Sequence, residues 1–163
     1  MSAKEKSTVP RKLPARQKAI RAPAAKPLLI DVRTLILEAR QRVAQTVNAG
    51  LTLLYWQIGY RIRQDILKEK RAEYGAEIVQ SLTGQLTAEF GRGFAEKNLR
   101  RMMQFAEVFP DPQIVAALLR QLGWTHFTML IPIQDNLKRD FYAEMCRMER
   151  WSTRTLRDRK SVV

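Results

Sequence analysis

The residues from 97 to 104 combine side chains that could bind and read a nucleic acid. The hydrogen-bond donors in this stretch are Lys97, Asn98, Arg100, Arg101 and Gln104. An arginine can donate two hydrogen bonds to guanine, an asparagine or glutamine amide can pair with adenine, and a lysine neutralises phosphate. Apolar side chains at helical spacing predict a buried opposite face: Leu99, Met102, Met103, Ala106 and Phe109. The pattern is that of a recognition helix, or of an ordinary amphipathic helix whose charges are only solvated.

A second polar and basic cluster lies toward the end of the chain. Between Arg147 and Lys160 there are six basic and two acidic residues. Hydroxyl groups at a helix N-terminus beside arginines are suited to binding phosphate. The candidate DNA contacts in this cluster are Arg150, Ser152, Thr153, Arg154 and Arg157. Two further candidates, Thr125 and His126, lie upstream at the start of another predicted helix. The alternative is a basic terminus that has no partner.

Residues for catalysis are not apparent, so none is predicted, and neither a metal nor a cofactor is expected. His126 and Cys146 are the only histidine and cysteine, too few for a zinc site. A capping or packing role is expected for His126 beside the binding hypothesis, and Cys146 is expected to be a buried small side chain. Asp111 and the triplet 158–160 resemble the nuclease pattern PD…(D/E)xK, but both are predicted in helical or turn context, whereas such carboxylates must lie on adjacent strands.

The candidate residues need helices to hold them, and the apolar periodicity predicts helices throughout the chain. One helix begins after Gly75, ends near Phe90, and is joined by the turn Gly91–Gly93 to a helix over 95–108, which is the shape of a helix-turn-helix. Further helices are predicted over 113–121, 125–133 and 136–148. Ser152 is predicted to cap a short last helix. The expected fold class is all-α, a multi-helix domain with helix-turn-helix-like units.

A long helix is predicted over 31–70, with Asp31 as its N-cap. Its apolar residues recur at three- and four-residue steps: Val32, Leu35, Ile36, Ala39, Val43, Val47, Leu51, Leu54, Ile58 and Ile62. Three interpretations remain open for this stripe, namely a face in the core, a dimer face and a face for a partner helix. Gly50 and Gly59 are expected either to bend the helix or to allow a close neighbour.

The charge of the chain points to a polyanionic partner. The formal net charge is +13, and residues 1–30 carry +7 of it through eight basic residues and one acid. Residues 1–28 are predicted to be a disordered basic arm, because they combine four prolines with basic residues and alanine. The single cysteine fits a reducing compartment, so a cytoplasmic location is expected. No run of about 18 apolar residues is present, so no membrane partner is expected.

Several collinear motifs identify a family resemblance over about residues 31–160. They are Leu54–Gly59, Tyr74–Gly75, Phe90–Phe94, Asn98–Met102, Phe105 with Phe109–Pro110, Trp124–His126, Phe141–Tyr142 and Trp151–Leu156. Their order and spacing resemble the N-terminal domain of the bacterial YhcG family. The resemblance implies a DNA-binding domain over 29–160, of the kind that normally precedes a PD-(D/E)XK nuclease domain.

The resulting hypothesis is a DNA-binding module, the targeting half of a nuclease-type protein, without catalytic activity of its own. The chain stops at Val163, where a connection to the nuclease domain would continue, so a truncated gene product lacking that domain is expected. DNA is favoured over RNA as the nucleic acid. The expected protein partner is either a second copy of the chain, in a homodimer, or a separate nuclease domain. The alternative function is a protein-interaction or dimerisation module that uses the helix 31–70.

Overall fold

A computed structural model describes residues 25–69 and 73–162 of the chain. The described residues form α-helices and one 3-10 turn, with no strand, which confirms the all-α class. The helices are α1 (Ala25–Lys68), α2 (Tyr74–Phe90), α3 (Glu96–Val108), α4 (Pro112–Leu118), α5 (Trp124–Leu130), α6 (Asn136–Met148) and α7 (Thr153–Ser161). The 3-10 turn, Arg92–Phe94, connects α2 to α3. In the two described ranges, no helix combines the length and apolar character needed to cross a bilayer.

The N-terminal start of α1 differs from the sequence-based prediction. The helix already includes Ala25, so Asp31 lies inside it, and its assignment as the N-cap was wrong. Residues 1–24 of the predicted basic arm lie outside the described residues, and 25–28 belong to α1. The chain divides into two compact units, Met1–Glu38 and Ala39–Val163. The core and the candidate site described below belong to the second unit.

Several helix ends follow from local sequence signals. Helix α5 ends at Leu130 rather than at residue 133, because Pro132 lacks an N–H group and disfavours helical geometry in the residue before it. Helix α6 spans Asn136–Met148 as predicted, and its N-cap Asp135 accepts a hydrogen bond from the Lys138 N–H. The Ser152 hydroxyl accepts a hydrogen bond from the Thr155 N–H at 3.1 Å, which confirms Ser152 as the N-cap of α7.

The main core of the second unit is aromatic and lies around α3 and α5. Phe105 and Phe127 are fully buried, with their ring centroids 4.6 Å apart, and Phe109 packs edge-on against both rings. The indole N–H of Trp56 on α1 donates a hydrogen bond to the Phe109 carbonyl at 2.8 Å. The predicted buried face of α3 is confirmed at four of its five positions, Met103 being half-buried. Phe105, which the periodicity did not single out, is its largest buried residue.

Helices α1 and α3 approach so closely at Gly59 that only glycine fits. A Cβ atom placed on Gly59 would lie 1.8 Å from the Met102 carbonyl oxygen. This contact is made by backbone atoms, which cannot rotate away as a side chain could. The prediction of a close neighbour is therefore confirmed at Gly59, whereas a Cβ atom on Gly50 would have nothing within 4 Å.

The apolar stripe of α1 is not a single core face. Ile62 is buried, but Val43, Val47, Leu51 and Leu54 are 63%, 55%, 45% and 41% exposed. The stripe reaches the core only at its C-terminal end, through Ile58 and Ile62, and the other core contacts of α1 come from the face that carries Thr52, Trp56 and Gly59. A core position for the whole stripe was therefore wrong, and the dimer and partner-helix interpretations remain as predictions.

A buried arginine joins three parts of the second unit. Arg139 on α6 is 5% exposed, and its guanidinium donates hydrogen bonds to the Ile133 carbonyl at 2.6 Å and the Asn136 side-chain oxygen at 2.7 Å. A longer hydrogen bond of 3.4 Å reaches the Val108 carbonyl at the end of α3, and the guanidinium carbon lies 5.7 Å from the centre of the Phe109 ring. Arg139 thus supplies hydrogen-bond donors to carbonyls at the end of α3 and in the segment before α6.

Candidate functional site

Three segments that are distant in sequence meet at an open groove of about 710 Å³. Helix α1 contributes residues 41–55 in part, the segment that leads from α4 into α5 contributes residues 119–126 in part, and the corner between α6 and α7 contributes residues 150–153. Five of the predicted DNA contacts line this groove: Thr125, His126, Arg150, Ser152 and Thr153. The structure therefore brings part of the predicted set together, although their positions in the sequence span 29 residues.

His126 holds the start of α5 against the corner that precedes α7. Its Nδ1 accepts a hydrogen bond from the Gly123 N–H at 3.2 Å, and its Nε2 lies 2.9 Å from the Trp151 carbonyl oxygen. Because Nδ1 is an acceptor, Nε2 carries the hydrogen and donates it to the carbonyl. The imidazole is therefore occupied at both nitrogens, as expected for a capping and packing role, and it shapes one wall of the groove.

The corner between α6 and α7 holds Arg150 in an unusual backbone conformation. Its φ is 51°, in the left-handed region that L-residues other than glycine, asparagine and aspartate seldom adopt. This conformation turns the chain from α6 toward Ser152, which caps α7. A non-glycine residue in this region is a strained feature of the kind that concentrates at functional sites.

The groove has a mixed polar and apolar lining, and Arg150 is the only charged side chain among its lining residues. Glutamine and asparagine amides of α1 line the opposite wall at a spacing of four and three residues: Gln41, Gln45 and Asn48. Half-buried aromatic side chains lie between the two walls: Tyr55, Trp124 and Trp151. The arrangement offers a positive charge, hydrogen-bonding groups of both kinds and aromatic surface within one concave site.

A row of exposed arginines continues from the groove along α7. Arg150, Arg154 and Arg157 are all exposed, and none forms an ion pair with a carboxylate in the described part of the chain. Other arginines do have such partners. The guanidinium of Arg147 contacts the Glu144 carboxylate, and this contact lowers the pKa of the glutamate. The charges of the α7 row are therefore available to an external anion.

The predicted contacts on α3 lie elsewhere and do not line the groove. Lys97 is exposed and Arg101 is half-buried, while Arg100 pairs with Glu96 at 2.7 Å on the preceding turn. The Asn98 amide donates a long hydrogen bond of 3.5 Å to the Arg92 carbonyl. Gln104 lines a different pocket, of about 450 Å³, beside Arg139. The two predicted clusters are therefore separate surfaces of the second unit.

The α1 wall of the groove was not predicted from the sequence. The positions of Gln41, Gln45 and Asn48 put the three amides on one side of a helix, so their spacing was a usable signal. The polar face was overlooked because the neighbouring apolar stripe was enough to predict the helix. Trp124 and Trp151 are half-buried, and both pack against the aromatic core while also lining the groove.

The residues that resemble a nuclease motif have structural contacts of their own. The Asp111 carboxylate accepts a hydrogen bond from the Gln113 N–H at 2.8 Å and caps α4. Lys160 donates a hydrogen bond to the Met129 carbonyl, and burial, together with nearby Lys138, lowers the pKa of its amine. Asp158 is exposed on α7. Cys146 is buried as expected, and burial raises the pKa of its thiol to about 11.

Comparison with known proteins gives a family match and a curated relative. The family described as the DUF1016 N-terminal domain matches residues 31–162. An 81-residue stretch, 49% of this chain, is 38% identical to the Escherichia coli (strain K12) protein named "Putative nuclease YhcG". That stretch covers 22% of the relative, so the chain spans less than a quarter of its length. No solved structure matches the chain.

Proposed function

The chain belongs to the DUF1016 N-terminal domain family, and from this premise we propose that it is the DNA-binding, targeting module of a nuclease-type protein. The name of its Escherichia coli relative supports the connection to a nuclease. The proposed role of this chain is binding rather than bond cleavage. A binding role is supported by the contacts of the two residues that resemble a nuclease motif: Asp111 caps a helix, and Lys160 donates a hydrogen bond to a backbone carbonyl.

The row of Arg150, Arg154 and Arg157 carries this proposal. Exposed guanidinium groups without carboxylate partners lose no internal contact when they bind phosphate, and they release the counterions of the DNA when they do so. Arginine also binds phosphate oxygens with two parallel hydrogen bonds. On the proposed model, α7 lies along the DNA backbone and the groove lies next to it.

The exposed face of α3 is the second proposed contact. Lys97 and Arg101 have no ion pair in the described ranges, whereas Arg100 must leave Glu96 to bind DNA. A helix with such a face can enter the major groove. The connection of α2 to α3 through Gly91–Ala95 is compatible with a helix-turn-helix, which is part of the proposal.

Removing the α7 charges should weaken DNA binding and reduce its salt dependence. The variant combines Arg150→Asn, Arg154→Gln and Arg157→Gln; asparagine is chosen at position 150 because it tolerates a positive φ. If each arginine neutralises one phosphate, the slope of log K against log salt should be less negative by about three units. The measurement is fluorescence anisotropy of a labelled duplex over a series of salt concentrations.

The matched control removes the same charge from arginines that have carboxylate partners. It combines Arg61→Gln, Arg63→Gln and Arg147→Gln, whose partners are Asp65, Glu107 and Glu144. We expect a much smaller change of slope for this variant. Equal slopes for the two triple variants would mean that DNA affinity depends on the net charge alone and not on the α7 row. The absence of any DNA binding at low salt would overturn the proposed function.

Homodimerisation through α1 is a second candidate function. The observation that favours it is the stripe of Val43, Val47, Leu51 and Leu54, which remains 41–63% exposed in the second unit. Steps of four, four and three residues are those of a helix-pair seam. A second copy of the chain presents the same stripe, so a two-fold pairing would cover both stripes at once.

Acidic substitutions in the stripe should dissociate a dimer of this kind. We expect the unmodified chain to have twice the 18.9 kDa monomer mass by light scattering, and the variant Val43→Glu, Val47→Glu to have the monomer mass. Leu137→Glu is the control, because Leu137 is 82% exposed on α6 and lies outside the stripe. A monomer mass for the unmodified chain at micromolar concentration would exclude this function.

A further inference from the structure

We propose that the groove between α1, α5 and the α6–α7 corner binds one unpaired nucleotide of the DNA, with the base between the aromatic and amide walls and its phosphate at Arg150. The proposal rests on the proposed DNA-binding function and adds to it the structural class of DNA that is recognised. The preferred ligand is therefore single-stranded DNA or a duplex that contains an unpaired base.

The amide wall suits the edge of a base that has no partner strand. Gln41 and Asn48 have no side-chain hydrogen bonds within the described residues, so both their donors and their acceptors are available. The Gln45 amide donates to the Arg120 carbonyl, which fixes its position and leaves its oxygen as an acceptor. Amides of this kind pair with the hydrogen-bonding edges of exposed bases.

The aromatic side chains suit the face of the same base. Trp124 is held in place by two other rings, because its ring centroid lies 5.6 Å from that of Phe105 and 4.9 Å from that of Tyr55. Trp151 is held by Arg159, whose guanidinium carbon lies 5.5 Å from the ring centre. Rigid and partly exposed rings are the platforms on which unpaired bases stack in proteins that bind single strands.

The charge of the groove suits one phosphate group. Arg150 is its only charged lining residue, and no carboxylate lines the groove to oppose an anion. The left-handed backbone of Arg150 places this cation at the junction of the groove and α7. The phosphates on either side of the bound nucleotide would then continue along Arg154 and Arg157.

A paired base cannot use this site, because the complementary strand covers its hydrogen-bonding edge and its neighbours cover its faces. The volume of about 710 Å³ lies in the range of pockets that enclose small ligands, about 300–1,000 Å³, and is too small for a duplex. A base must therefore be unpaired, or be turned out of the helix at an energetic cost, before it enters.

The test compares a fully paired DNA duplex with the same duplex carrying one unpaired 2-aminopurine nucleotide. We expect the second probe to bind about tenfold more tightly, the effect of stacking one base on aromatic side chains. The fluorescence of the 2-aminopurine should be quenched when this probe binds, since the base stacks against indole rings. The variant Gln41→Met, Asn48→Leu keeps the size of both side chains but removes their hydrogen bonds to the base, so it should weaken the preference, which the aromatic rings still support, while leaving duplex binding unchanged.

Gln57→Met is the matched control, because Gln57 is an exposed amide on α1 that does not line the groove. Circular dichroism confirms that each variant is folded. Equal affinity for the two probes, or an undiminished preference in the Gln41→Met, Asn48→Leu variant, would overturn this inference and leave the proposed DNA binding intact. If the unmodified chain binds neither probe, the result instead contradicts the proposed function itself.

Discussion

Replacement of Gly59 by alanine is expected to lower the free energy of unfolding by about 3 kcal/mol, at the upper end of the range for overpacking. The added Cβ atom would lie 1.8 Å from the Met102 carbonyl oxygen, so α1 and α3 must move apart. That movement would also lengthen the hydrogen bond from Trp56 to the Phe109 carbonyl. For a domain of this size the melting temperature should fall by roughly 10 °C.

Gly50→Ala is the matched control for this substitution. Both glycines lie inside α1, but a Cβ atom at position 50 meets nothing within 4 Å. Alanine is the better helix former by about 1 kcal/mol, so this variant should be as stable as the unmodified chain or slightly more stable. Thermal unfolding followed by circular dichroism measures both variants. Similar melting temperatures for the two would show that the helices do not approach each other as described.

Arg139→Ala is expected to destabilise the second unit by about 3 kcal/mol, although the residue is charged. The side chain is 5% exposed and donates to the Ile133 carbonyl and the Asn136 side chain. Truncation would leave these acceptors without a donor and would open a cavity beside Phe109, and each effect costs on the order of 1–3 kcal/mol. The measurement is chemical denaturation followed by tryptophan fluorescence.

Arg147→Ala provides the comparison on the same helix. Arg147 is exposed and pairs with Glu144, and a surface ion pair of this kind contributes about 0–1 kcal/mol. We also expect Arg139→Lys to recover only part of the lost stability, because an ammonium group cannot reach acceptors in several directions at once. If Arg139→Ala were as mild as Arg147→Ala, Arg139 would be available to bind a ligand instead of supporting the fold.

Three arginines near one another in the sequence show why charge alone does not identify a binding surface. Arg139, Arg147 and Arg150 are close in sequence, yet one supports the core, one is neutralised by a glutamate and one is unpaired at the groove. For this reason the proposed DNA contact is assigned to the unpaired row of α7 rather than to the basic residues as a whole. The same distinction makes Arg100, paired with Glu96, a weaker contact than Lys97.

The sequence by itself determined the all-α class and most of the helix boundaries. These features depend on local rules: apolar periodicity marks the helices, and Asp135 and Ser152 cap two of them. The effect of Pro132 on the end of α5 is equally local, although the predicted helix ran past it. Each rule acts over a few residues, so it can be applied before the neighbours of a helix are known. The family resemblance likewise followed from collinear motifs and is confirmed by the family match over residues 31–162.

Only the tertiary structure decided which face of α1 is buried and which residues meet at the groove. Helix α1 has apolar residues around much of its circumference, so periodicity could not separate the exposed stripe of Val43 and Val47 from the face that carries Trp56. The groove joins Asn48 to Arg150 across about a hundred residues of sequence, and no local rule relates positions so distant. Which arginines have carboxylate partners also depends on packing, since Arg63 pairs with Glu107 on another helix.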